Sequence, residues 1–410
     1  MFKSLSLEGW RQINRFDLAF HDRLTVLTGA NGSGKTTVLN LLSKHFGWPA
    51  PFVSTPRIGT TRSVLEYVAG LWSKLSGGID LTAERVVGEI HYRSGSVSKL
   101  VVPVVSSATY EIEVRPHTPI PGLHIPSHRP LYNYQAVQHI PTTPRTREEA
   151  FNQYRDMVRH RYFGTAVQPA TRFIKETLIS LALFGYGNQA VSPNPASVEL
   201  FEQFERTLST VLPPQLGFEK LSIRTPEVVL VTRSGDFPLD AVSGGIAAII
   251  DMAWQIFMYA PHDAEFVVTI DEPENHLHPE LQRSVLRSFI GAFPKAQFIV
   301  ATHNPFIVGS VPDSNVYVLR SDPNDRASSL LLDLVNKAGT SNDILRDVLG
   351  LSFTTALWVD DRLQAIIRKY EQLDLDAPTL ARLRSEMAAL GLEKLIPNTI
   401  ASVVEKRRPQ

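Results

Sequence analysis

No cysteine occurs among the 410 residues. Disulfides, thiolate metal sites and cysteine nucleophiles are therefore excluded, and a reducing, cytoplasmic setting is expected. Net charge is lacking too. The 41 Lys and Arg balance the 41 Asp and Glu, so attraction to nucleic acid has to come from a local patch rather than the whole field. Long apolar runs are missing: the richest stretch, Ile246 to Ala260, is broken by Asp251 and Gln255, so no membrane partner is expected. Met1 runs straight into a strand-like segment with no secretory h-region. Repeats, low-complexity tracts and extended heptads are also absent. What is there, 43 % hydrophobic and 20 % charged residues, describes a globular chain able to bury one large core or two smaller ones.

The chain is organised around Gly29-Ala30-Asn31-Gly32-Ser33-Gly34-Lys35-Thr36-Thr37. An apolar run, Leu24 to Thr28, reads as a buried strand before it, and Val38 to Leu42 reads as a helix after it. This is G-x-x-x-x-G-K-[ST] in the strand–loop–helix setting it requires. The glycines let successive N–H groups of Asn31, Gly32, Ser33, Gly34, Lys35, Thr36 and Thr37 turn towards phosphate oxygens, helped by the helix N-terminus. Lys35 then reaches the β- and γ-phosphates, and the Thr36 hydroxyl is a Mg²⁺ ligand. Chance matches to the pattern in a chain of this size number roughly 0.01.

Three further stretches carry chemistry. Phe266 to Ile270 is a strand ending in Asp271-Glu272. Asp271 at the strand tip suits the Mg²⁺ shell, and Glu272 suits a general base taking a proton from the attacking water. Gln297 to Ala301 is another buried strand, and His303 follows it. Parallel strands bring their C-terminal ends to one edge of a sheet, which places His303 beside Glu272, within reach of the γ-phosphate or the water. Ser243-Gly244-Gly245 opens a long helix at Ile246, a second anion site. Because one loop already holds the phosphates, a second site implies a second subunit clamping the same nucleotide.

In chain order, two short strands lie within Leu5 to Leu18, residues 51–63 read as a surface loop, and Val64 to Leu75 as a helix. Val86 to Tyr92, Lys99 to Val105 and Thr109 to Val114 form an antiparallel meander, and Leu123 to Pro126 a short strand. Helices are expected over Glu148 to Arg161, Thr171 to Leu183 and Ser197 to Leu212, as a lobe inserted into the core. Strands return at Phe218 to Ile223, Val228 to Thr232 and Asn315 to Leu319, and amphipathic helix from Asn342 onward. The expected division is 1–144 (first half of the core), 145–215 (helical insertion), 216–320 (second half) and 321–410 (C-terminal helices).

Phosphate loop, helix-opening Ser-Gly-Gly, strand-tip Asp-Glu and strand-tip His, in that order, resemble the ATP-binding-cassette (ABC) superfamily. Asp271-Glu272-Pro273-Glu274-Asn275-His276-Leu277-His278-Pro279 looks like the DEPExHLHP run of its non-transporter, AAA-type branch, which holds OLD-family and RecF/SMC-like ATPases. The resemblance implies an α/β, ABC-type P-loop NTPase with an antiparallel β lobe, a helical insertion and C-terminal helices. It implies ATP and Mg²⁺ as cofactors. Lys35, Thr36, Asp271, Glu272 and His303 would act from one subunit, and Ser243 and Gly245 across a head-to-tail homodimer or larger assembly. His276 and His278 fit the loop that crosses between subunits. Gln135 is the candidate for the family's Mg²⁺-sensing glutamine. One departure stands out: Ile246 replaces a residue that is often polar.

Compact ATPases of this type resemble those of bacterial anti-phage systems such as PARIS and Septu, where a separate effector, a nuclease or toxin, does the damage. That step is analogy rather than chemistry. Asp360-Asp361 reads as a solvated helix face rather than a nuclease centre. Residues 127–175 hold eight Arg or Lys (129, 145, 147, 155, 159, 161, 172 and 175) against three acids. Tyr132, Tyr134, Phe151, Tyr154, Tyr162 and Phe163 are interleaved with them, so this stretch is a candidate nucleic-acid surface. The alternatives to a defence switch are a RecF-like DNA-binding ATPase of repair or recombination and, more weakly, a transporter subunit.

Overall fold

The computed structural model describes residues 1–49, 51–58, 65–70, 83–105, 107–129, 132–164, 170–322 and 326–333, then 344–345, 357–370, 373, 376–397, 399–400 and 403. Contacts divide the chain into two units, Met1–Ile344 and Leu345–Gln410. The first is built on β1 (Phe2–Trp10), β2 (Ile13–Ala19), β3 (Leu24–Thr28) and α1 (Lys35–Ser43). The short strands β4 (Phe52–Val53), β5 (Thr55–Ile58) and β6 (Leu65–Val68) follow. Then come β7 (Arg85–Tyr92), β8 (Val97–Val102), β9 (Thr109–Tyr110), β10 (Glu113–Arg115) and β11 (Gly122–Ile125). Helices α2 (Arg147–Tyr162), α3 (Ala170–Tyr186) and α4 (Pro195–Val211) precede β12 (Phe218–Arg224), β13 (Glu227–Thr232) and β14 (Gly235–Pro238). The unit ends with α5 (Gly244–Tyr259), β15 (Phe266–Asp271), α6 (Pro279–Ala292), β16 (Ala296–Ala301), α7 (Pro305–Val308), β17 (Asn315–Ser321) and β18 (Ala327–Leu331).

One 11-stranded sheet dominates, in the order β10-β8-β7-β1-β2-β18-β17-β3-β16-β15-β11. Its β17-β3-β16-β15-β11 half is parallel, and β3, β15 and β16 are buried along their whole lengths. Strands covered on both faces have no solvent side to alternate towards, so they read as continuous apolar runs. The β2-β1-β7-β8-β10 half is antiparallel, and its inner face buries Phe2, Leu5, Trp10, Phe16 and Ile90. The register aligns the tips: Asp271 pairs with Ala301, Ala301 with Leu27, and Ile125 with Ile270. The residues following β3, β11, β15 and β16 thus emerge at one edge.

Helix α5 is the buried hub of the helical layer: every residue from Gly245 to Met258 is shielded, and α2, α4, α6 and β11 pack around it. Trp254 meets Phe204 of α4 edge-on at 5.1 Å. Helix starts follow local chemistry. Thr146 and Glu149 make a capping box for α2, Asn194 caps α4 ahead of Pro195, and Ser243 caps α5.

Three expectations are corrected. Within Val64 to Leu75, the described part forms strand β6, hydrogen-bonded antiparallel to β5, because Leu65-Glu66-Tyr67-Val68 is a short alternating run with a partner strand; residues 71–82 lie outside the described set. The loop expected at 51–63 contains β4 and β5, where β4 pairs with β9. Strand β18 lies in the segment read as C-terminal helices and extends the main sheet through β17 and β2.

The second unit holds α8 (Leu357–Tyr370) and α9 (Ala377–Ala389), joined by an apolar cluster that includes Leu363, Ile367, Tyr370, Leu383 and Met387. Asp361 is exposed. No helix among the described residues is long and apolar enough to cross a membrane.

A buried ion cluster ties α3 to the approach to α5. The Lys175 side chain is fully buried, with Nζ 2.5 Å from Asp240 Oδ2 and 2.6 Å from Glu227 Oε2. Burial works against its charge, but hydrogen bonds to Asp240 and Glu227 outweigh it and raise its pKa. Lys175→Met leaves two carboxylates facing each other with no cation, and such losses cost about 3–5 kcal/mol. The expected result is an earlier urea midpoint, partly restored by adding Asp240→Asn; a midpoint equal to the parent's rejects the assignment.

Candidate functional site

The loop after β3 takes its shape from glycine. At Gly29, with φ +143°, a Cβ would lie 2.2 Å from the Leu319 carbonyl oxygen, so no other residue fits without moving β17. Gly34, at φ +104°, caps α1 without any side-chain hydrogen bond, which leaves the first helical N–H groups free to meet an anion. Lys35 is buried, and its Nζ donates to the carbonyls of Gly29 (2.8 Å) and Ala30 (2.9 Å) of its own loop. Burial lowers its pKa, against the pull of Asp271, Glu272 and Glu274.

Across the edge, Thr36 Oγ1 donates to Asp271 Oδ2 at 3.0 Å. Burial pushes the Asp271 carboxyl up, opposed by this hydrogen bond. A hydroxyl and a buried carboxylate facing one another beside a phosphate-shaped loop fit Mg²⁺, which binds through few protein oxygens and fills its shell with phosphates and water. No cluster of three or more His, Cys, Asp or Glu suited to a metal exists among the described residues.

Glu272 sits at the β15 tip with Oε1 3.3 Å from His303 Nδ1, at the β16 tip. Asn275 Nδ2 donates to Glu272 Oε2 at 2.9 Å and to the Ser127 carbonyl at 3.1 Å. Glu274 turns inward instead: Thr302 Oγ1 donates to it at 2.5 Å, and burial raises its pKa. The structure thus gathers Lys35, Thr36, Asp271, Glu272 and His303 at one sheet edge, with Asn31, Gly32, Ser33, Gly34 and Thr37 in the adjoining loop and first helical turn.

Ser243 and Gly244 are exposed at the start of α5, and Ser243 Oγ accepts from Ile246 N at 3.5 Å. Gly245 lies against the His276 carbonyl, where a Cβ would come within 3.1 Å. Among the described residues, no hydrogen bond or ion pair joins Ser243 or Gly245 to the phosphate loop. His278 is the N-cap of α6, accepting from Glu280 N at 3.4 Å. Among the described residues, no hydrogen bond or ion pair joins Gln135 to the gathered residues. Its backbone N–H donates to Asp240 Oδ2 at 3.3 Å, and its carbonyl accepts from Lys175 Nζ at 2.8 Å.

The β11–β15 register instead brings the Ser127-His128-Arg129 segment alongside Asp271 and Glu272. Arg129 is buried and donates to backbone carbonyls of that turn. Sequence reasoning missed both Arg129 and Asn275. The signal was available in a strand-like Leu123 to Pro126 running directly into Ser-His-Arg.

A family described as "AAA domain, putative AbiEii toxin, Type IV TA system" matches residues 122–309, and one described as "AAA domain" matches residues 4–64. Over these two stretches the chain is similar to AAA domains. The chain is 40 % identical over 86 residues to the Septu protein PtuA of Bacillus mycoides strain KBAB4, covering 20 % of this chain and 12 % of that one. It is 26 % identical over 163 residues to the Retron Vc95 probable ATPase of Vibrio cholerae serotype O1 biovar El Tor, covering 37 % of this chain and 31 % of the relative. An OLD nuclease of Thermus scotoductus is 24 % identical over 394 residues, 87 % of this chain and 69 % of that one. The chain therefore spans less than a third of the length of the first two relatives.

Proposed function

We propose that this ATPase is a molecular switch that hydrolyses ATP with Mg²⁺, dimerises head to tail around the nucleotide, responds to phage infection and controls a separate effector protein. The observation that carries the reading is the meeting of Thr36 with Asp271 and of Glu272 with His303 at adjacent strand tips. Lys35 exchanges its own loop carbonyls for the β- and γ-phosphate oxygens. Thr36 and Asp271 would hold Mg²⁺, which would offset phosphate charge. Glu272 accepts the proton of the attacking water, and His303 donates to the γ-phosphate. Ser243, Gly244 and Gly245 of one copy close on the phosphates of the other. Support for the last step is that Ser243 is exposed at the N-terminus of a 16-residue helix.

The likeness to a Septu protein and a retron ATPase supports the defence setting and a partner effector. A DNA-binding reading gains little from residues 127–175. Arg129 and Lys175 are buried, Arg145 lies over the Phe173 ring and pairs with Glu176, Arg172 also pairs with Glu176, and Arg155 and Arg159 share Asp156. Tyr154 and Phe151 are core residues.

Ser243→Arg tests the clamp. With ATP present, light scattering is expected to find the parent dimeric and the variant monomeric, while the variant's ATP affinity stays within about threefold, since one phosphate loop still binds. A variant that dimerises like the parent ends the head-to-tail reading. Turnover unaffected by DNA, together with a co-purifying nuclease or toxin, is the expected result for the effector; turnover stimulated by DNA and falling steeply with salt favours the repair alternative.

A further inference from the structure

The turn that presents Glu272 is unusual. Glu272 has φ +48°, a left-handed conformation that a side-chain-bearing residue adopts only at a cost of about 1 kcal/mol or more. Its N–H is anchored on β16 through the Ala301 carbonyl at 2.8 Å, but the carbonyl side of the turn needs a second hold. Arg129 supplies it. The guanidinium is buried, and Nη2 donates to the carbonyls of Asp271 (3.1 Å) and Glu272 (2.7 Å), while Nη1 reaches that of Asn275 at 3.5 Å. Burial lowers its pKa against the pull of four carboxylates in its field, Asp251, Glu274, Asp271 and Glu272. Yet its hydrogen bonds go to backbone carbonyls rather than to carboxylate oxygens. That pattern fixes geometry, where an ion pair would neutralise charge. A planar fork of donors matches converging carbonyls, and a lysine ammonium on its flexible stem does not.

Asn275 completes the arrangement. Its N–H donates to the Glu272 carbonyl at 3.1 Å, and its side chain ties Glu272 Oε2 to the Ser127 carbonyl. Backbone and carboxylate of the same residue are therefore held from the β11 side, by Arg129 and through Asn275.

We propose that Arg129 and Asn275 are positioning residues that lock the strained turn so that the Glu272 carboxylate faces the attacking water. The proposal rests on the reading of Glu272 as the base. A misplacement of about 1 Å at a reacting group costs on the order of a hundredfold in rate.

The test measures ATP turnover and binding of a fluorescent ATP analogue by the full chain at fixed Mg²⁺. Arg129→Lys is expected to turn over about 10- to 100-fold more slowly with ATP affinity within about threefold of the parent. Asn275→Ala, which removes only a partly buried amide, is expected to lose about tenfold by the same displacement. The double variant is expected to lose less than the product of the two, because both act on one turn. Parental turnover in both single variants overturns the proposal, as does a loss of ATP affinity equal to the loss of turnover. If Arg129→Lys does not fold, Asn275→Ala decides alone, and parental turnover there overturns it. Glu272→Gln separates the two readings. If it hydrolyses at the parental rate, the base assignment fails. If it is inert while Arg129→Lys and Asn275→Ala behave like the parent, only the positioning proposal fails.

Discussion

Glu272→Gln is expected to cut ATP turnover by about 10²- to 10⁴-fold, the range a positioned general base contributes, while ATP stays bound and the dimer stays closed. The amide keeps the shape and length of the carboxylate. Its oxygen can still accept from Asn275 Nδ2, now 2.9 Å from Oε2, so the turn keeps its side-chain hold. What it loses is the proton acceptor. It also loses one negative charge beside Asp271 and Glu274, which lowers the repulsion felt by a triphosphate in the same pocket. Slow turnover combined with equal or tighter ATP binding is therefore the signature. Single-turnover hydrolysis and light scattering read the two halves separately. A variant turning over like the parent removes Glu272 from the chemistry; one that is inert yet monomeric in ATP leaves the base and removes the dimer.

The parts legible in the sequence share one physical feature: each is a local pattern whose meaning does not depend on direction. Leu24 to Thr28, Phe266 to Ile270 and Gln297 to Ala301 read as buried strands because both faces are covered. The charged and titratable residues follow their C-terminal ends, which predicts Lys35, Asp271, Glu272 and His303 at one edge. Helix α5 was legible for the same reason, since nearly every residue in it is apolar.

The illegible parts depend on which way a side chain turns. Residues 127–175 carry many cations, but composition counts charges without aiming them. Lys175 turns into a carboxylate pair and Arg129 into a backbone turn, and both leave the surface. Short strands suffered similarly. Four residues from Leu65 to Val68 satisfy a helical pattern equally well until β5 pairs with them. The β11 register, a non-local fact, singles out Ser127, His128 and Arg129 as the residues beside Glu272.

Lys35→Ala is expected to weaken ATP binding by about 10² to 10⁴, enough to abolish turnover at millimolar ATP. Hydrogen bonds to charged groups contribute about 1.5–3 kcal/mol each, and Lys35 reaches two phosphates, so the loss sums to about 3–6 kcal/mol at about 1.4 kcal/mol per tenfold. Folding is far less affected, because among the described residues Lys35 Nζ bonds only to the Gly29 and Ala30 carbonyls of its own loop. The variant's thermal midpoint should therefore stay near the parent's in the absence of ATP, and the parent alone should gain stability when ATP is added. A second consequence carries a sign. Burial holds the Asp271 pKa up, and attraction to Lys35 is one of the forces pulling it down. Removing the ammonium lets that pKa rise further, so residual Mg²⁺-dependent binding should fade at a higher pH than in the parent as the medium is acidified. Isothermal titration with ATP and Mg²⁺ across the acidic range measures both effects. Parental affinity in Lys35→Ala removes the phosphate loop from the site, and a midpoint of fading shifted to lower pH contradicts the coupling between Lys35 and Asp271.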